Sequence, residues 1–127
     1  MSDRTASFLL ILAGLFGAMA VAAGAFASHG LTVLKGERAA ELWGIASHYQ
    51  MIHAAAIVAA VLLGRQGARF AAPAGVAFAL GCVLFPGALY ALGWWGPSLM
   101  GAVAPLGGLS FMVGWACVAA AGIKYKP

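Results

Sequence analysis

From Phe8 to Phe26 the chain runs through nineteen residues without a charged side chain. At about 1.5 Å of rise per residue, that run as a helix nearly crosses a ~30 Å hydrocarbon core. Lipid offers the backbone no hydrogen-bond partner, so a segment of this kind must satisfy its own amides, and a helix does so. Three further apolar stretches follow, over about 43–64, 70–92 and 103–123, each separated from the last by a short gap.

A soluble reading fails on charge. Of the 127 residues, 64% are hydrophobic and 8% charged, against roughly half and a quarter in an average soluble domain. A chain this short still exposes much of its surface. With so few charges that surface would be one continuous apolar patch, which soluble monomers avoid. The sequence therefore predicts an all-α integral membrane bundle of four transmembrane helices, up-down-up-down, forming a single domain over residues 1–127. Arg4 and Ala25-Phe26-Ala27 sketch a cleavable signal, but the apolar run exceeds the usual 7–15 residues, so it is expected to stay as span one.

The net charge of +4 does not point to nucleic acid, because the basic residues form neither a run nor a face. They sort by side instead. Arg4, Arg65, Arg69, Lys124 and Lys126 fall on one side of a four-span arrangement, and Lys35 and Arg38 on the other. Positive-inside then puts both termini in the cytoplasm of a bacterial inner membrane. The lipid bilayer is the partner this implies, with a homo-oligomer or a larger membrane complex left open. Cys82 and Cys117 lie inside apolar runs and read as small buried hydrophobes.

Local signals set the helix ends. Gly30 can stop span one, and Gly36 can break the chain before a helix that starts near Glu37. Arg38 and Glu41 are three apart and can pair. Trp43 and Tyr49 fit an interfacial anchor, and Trp94 and Trp95 fit the aromatic belt in a charge-free gap over 93–102. Pro73 sits in the first turn of span three. Pro86 and Gly87 are mid-span, where proline should kink the helix and leave the carbonyl of Cys82 unpaired. Pro105 is expected in the first turn of span four, followed by Gly107 and Gly108, which suit close packing.

Helices in lipid associate through small residues. Span one offers a stripe of them at Ala13, Gly17, Ala20, Gly24 and Ala27. Span four offers another at Gly107, Ser110, Gly114, Cys117 and Ala121.

The apolar part of span two, Ala54 to Leu63, is only half a crossing, so Ser47, His48, Gln50 and His53 must also approach membrane depth. Polar groups there are costly and need partners. The candidate ligand or polar-network residues are His29, Glu41, His48, Tyr49, Gln50 and His53. His48 and His53 are five apart and so about 140° apart on a helix, which suits no single metal. No metal or cofactor is expected. The structural expectation is that Gln50 and His53 hydrogen-bond across the bundle while His48 and Tyr49 sit at headgroup level. The three acids lie near the membrane ends, and no Ser/His/Asp order, carboxylate pair or phosphate loop is visible. The sequence thus points to a non-enzymatic accessory or lipid-associated bundle. A small oligomeric transporter using His53 and Gln50, and a quinone- or haem-binding subunit, are the rival readings.

Five segments in order carry a family resemblance: Gly24-Ala25-Phe26-Ala27-Ser28-His29-Gly30-Leu31, Trp43-Gly44-Ile45-Ala46-Ser47-His48-Tyr49-Gln50-Met51-Ile52-His53-Ala54, Leu84-Phe85-Pro86-Gly87-Ala88-Leu89-Tyr90, Ala104-Pro105-Leu106-Gly107-Gly108 and Gly114-Trp115. The chain resembles the YgdD/YwdK-like family of small membrane proteins, a domain of unknown function related to a small eukaryotic transmembrane group. The resemblance implies a four-span inner-membrane protein and no established activity. It singles out His29, Tyr49, Gln50, His53, Pro105 and Trp115. The chain departs from the family's usual form at Ala27-Ser28, and at Pro86, where a serine hydroxyl is usual.

Overall fold

The structure, a computed structural model, describes residues 1–125. Lys126, counted above among the orienting charges, lies outside the described residues. The elements are α1 (Asp3–His29), α2 (Leu31–Lys35), α3 (Glu37–Arg65), α4 (Ala71–Trp95) and α5 (Met100–Ile123). Helices α1, α3, α4 and α5 are each long and apolar enough to cross a membrane.

Each boundary has a local cause. Ser2 accepts from the Thr5 amide at 3.1 Å and caps α1, while Asp3 places a negative charge in its first turn. Gly30 closes α1. Gly36 has φ +90°, a left-handed conformation that glycine adopts without strain, and there the chain turns into α3. Between these glycines the short helix α2 occupies a stretch with no sequence signal for it. Leu31, fully buried, pins it to the body of the protein.

The helices alternate in direction. Phe16 of α1 meets Gln50 of α3, and Phe26 meets Trp43. Trp43 meets Gly93 of α4, and Ala60 meets Gly75. Ala77 of α4 meets Ser110 of α5. The order is therefore up-down-up-down. The helices pack in sequence, α1 on α3, α3 on α4 and α4 on α5, with no extended packing of α5 on α1.

The interior is inverted relative to a soluble protein. Large apolar side chains such as Phe8, Ile11, Leu15, Val83 and Met112 face outward. Much of the interior is alanine, including Ala6, Ala13, Ala20, Ala60, Ala74 and Ala121, with Leu9, Ile57 and Phe78 as larger plugs. In lipid the exposed leucines cost nothing, and affinity between helices comes from close approach of small residues. Along α1, a Cβ at Gly17 would stand 3.9 Å from Ala54, and one at Gly24 would stand 3.1 Å from the Ser47 hydroxyl. Along α5, Gly107 lies against the Phe85 backbone and Gly114 under the Phe78 ring. Gly108, next in line, meets nothing within 4 Å, so close packing falls to Gly107 of that pair.

Two helix ends differ from the sequence expectation. Helix α4 continues through Gly93 to Trp95, so both tryptophans belong to its last turn. The helix ends instead at Gly96, whose φ of +74° gives the left-handed cap, while Gly93 stays helical with the Trp43 indole beside it, 2.9 Å from where a Cβ would stand. Helix α5 begins at Met100, and Pro105 falls in its second turn rather than its first. Helix α4 also runs unbroken past the buried Pro86. Gly87 beside it meets no neighbour within 4 Å.

Candidate functional site

The fold divides the candidate polar residues into two sets. His29, Glu41 and His48 are exposed. Glu41 pairs with Arg38 at 3.4 Å, as their spacing predicts. Gln50 and His53 are buried, 2% and 4% exposed. Among the described residues no group of three or more His, Cys, Asp or Glu comes together as a metal site.

Gln50 is a three-helix joint. Its amide nitrogen donates to the Phe16 carbonyl of α1 at 2.8 Å. Its amide oxygen accepts from the Tyr90 hydroxyl of α4 at 2.8 Å. One helical turn toward the other membrane face, His53 joins α3 to α5. Trp115 Nε1–H donates to His53 Nε2 at 3.1 Å, and His53 Nδ1 lies 2.7 Å from the Tyr49 carbonyl. A carbonyl can only accept, so Nδ1 carries the proton and Nε2 offers its lone pair to the indole. The imidazole is neutral and both its nitrogens are engaged. Its ring stacks on Phe111 with centroids 3.5 Å apart, and Phe111 fits because Gly81 has no side chain to oppose it.

Tyr49, six residues along α3 from Trp43, packs its ring edge-on to Phe85 at 4.8 Å. Among the described residues no buried side-chain nitrogen or oxygen is left without a partner. Gln50 and His53 thus each tie α3 to neighbouring helices.

The open feature lies elsewhere. Toward the membrane face opposite the termini, α1 and α4 diverge and leave a groove of about 570 Å³. Met19, Ala23 and Phe26 line it from α1, Trp43 from α3, and Tyr90 and Trp94 from α4. This falls in the 300–1,000 Å³ range usual for small-molecule sites. Its floor is a rigid aromatic set. Trp43 sits edge-on to Phe26 at 5.7 Å and to Tyr90 at 4.9 Å, and its Nε1–H donates to the Tyr90 carbonyl at 3.1 Å. At the rim, the Lys35 ammonium stands 4.6 Å over the Trp94 ring. Ala22 and Ala23 of α1 keep one wall flat.

The family model described as "Protein of unknown function (DUF423)" matches residues 23–108. The chain belongs to the DUF423 family. Its relatives include the "UPF0382 inner membrane protein YgdD" of Escherichia coli strain K12, 38% identical over 96% of this chain and 94% of the relative. A "UPF0382 membrane protein" of Haemophilus influenzae is 34% identical over 92% and 94%. The "UPF0382 membrane protein YwdK" of Bacillus subtilis is 33% identical over 91% and 96%. No solved structure matches. These relatives carry membrane names and no enzymatic one, and four apolar helices make this DUF423 protein a multi-pass membrane protein.

The sequence missed Tyr90 as the partner of Gln50, and it missed the groove. A tyrosine in an otherwise apolar span was the available signal for the first. No local signal marks the second, since it arises where two helices diverge.

Proposed function

We propose that this DUF423 protein is a non-enzymatic, lipid-associated protein of the cytoplasmic membrane that holds a hydrocarbon chain in its aromatic groove. The observation that carries the reading is a contrast. Every buried polar side-chain atom among the described residues is already partnered, while the apolar groove stands open to the bilayer. A transporter needs polar groups free to exchange partners, and Gln50 and His53 are occupied. A haem ligand needs a free imidazole nitrogen, and His53 has none. Positive-inside sorting supports cytoplasmic termini, which puts the groove in the outer leaflet.

The test is native mass spectrometry of the full chain released from nanodiscs of mixed phospholipids, with stepwise delipidation. Wild type is expected to keep one lipid after the bulk is stripped. Ala23→Trp, which fills the groove from α1, is expected to lose it. Equal retention by both proteins, or none by wild type, overturns the reading.

A further inference from the structure

Lys35 is the cation of the groove. Helix α2 ends on it, and the turn at Gly36 carries the chain away into α3. Because Leu31 anchors α2 in the interior, the lysine is brought back over Trp94, a wall of the groove, at 4.6 Å. Its neighbours in this gap are differently engaged. Arg38 pairs with Glu41, whereas Lys35 has no carboxylate within ion-pair distance among the described residues. The ring face attracts its charge but supplies no acceptor atom, so all three ammonium donors remain open.

The occupant is defined by this pairing of an apolar slot with an unpaired cation at its mouth. A hydrocarbon chain lying between Phe26 and Tyr90 brings its headgroup to the rim, where the tryptophans mark the interface. A lysine at that level favours a phosphate, and most strongly one whose headgroup adds no positive charge of its own. We infer that the groove is a site for an anionic phospholipid, with one acyl chain in the aromatic slot and the phosphodiester on Lys35. This rests on the groove reading above and adds the identity of the headgroup.

The experiment titrates the purified full chain with dioleoyl phosphatidylglycerol and dioleoyl phosphatidylethanolamine, and counts bound lipid by native mass spectrometry. The two probes share their chains, so a difference between them reports the headgroup alone. Wild type is expected to favour phosphatidylglycerol about fivefold, the worth of one cation near the membrane surface. Lys35→Gln is expected to bring the two lipids to parity while still holding one of either. Lys35→Arg should keep the preference, and so should Arg38→Gln, because Arg38 is already paired. Parity in wild type, or a preference that survives Lys35→Gln or vanishes in Arg38→Gln, overturns the headgroup assignment and leaves the groove standing. No retained lipid of either kind on wild type removes both.

Discussion

Trp115 donates its indole proton to the only free lone pair of His53, and that bond ties α5 to α3, two helices without extended backbone packing on one another. Trp115 is 47% exposed and His53 is 4% exposed, so the indole reaches in from the lipid-facing side to satisfy a buried acceptor. Trp115→Phe keeps the ring and removes the donor. The expected loss is about 0.6–1.7 kcal/mol, from the average to the largest value measured for interhelical hydrogen bonds in a membrane protein. The shift of the unfolding midpoint in mixed dodecyl sulfate micelles measures it. A variant as stable as wild type would show that the bond adds nothing.

The Gln50–Tyr90 bond makes a second prediction, about coupling. Tyr90→Phe and Gln50→Leu each leave one polar partner of the other unmet. The double variant removes both partners, so its loss should fall short of the summed single losses by about 0.6 kcal/mol or more. Strict additivity in the same unfolding assay would show that the amide and phenol do not act as a pair.

Adjacent glycines give a third contrast. An alanine methyl at position 107 runs into the Phe85 backbone, which cannot yield without separating α4 from α5. Gly107→Ala is expected to cost about 1–3 kcal/mol, as overpacking does. At position 108 the same methyl meets open space. Gly108→Ala is expected to be neutral, or stabilising by about 0.5–1 kcal/mol through helix propensity. Equal effects at the two positions would contradict the packing described for α5.

Topology supplies a fourth. With Cys82 and Cys117 replaced by serine, single cysteines at Ser2 or Lys124 are expected to resist a membrane-impermeant maleimide in intact cells, and one at Val33 to react. The reverse pattern would invert the orientation drawn from the basic residues.

Much of this arrangement is legible one helix at a time. Four charge-free runs dictate four crossings, because a charge in hydrocarbon is costly and an unpaired amide nearly as much. The glycine-bearing stripes of α1 and α5 face partners because small residues are what lipid-embedded helices can bring together. Gln50 and His53 stand out as buried because their positions fall inside a span that apolar residues alone are too few to fill. These are consequences of composition and spacing along a single helix.

What the sequence leaves open depends on two helices at once. Nothing near Gly93 says that Trp43, fifty residues earlier, fills the space beside it. Nothing near Gln50 names Tyr90 as its partner. The tautomer of His53 is decided only when Trp115 arrives from α5 with a proton to donate. The groove exists because α1 and α4 touch near Leu9 and Gly75 and then part. Local pattern sets which residues must lie in lipid, since transfer into lipid is a property of each segment. Which side chains meet is set by where the helices cross, and a crossing belongs to a pair.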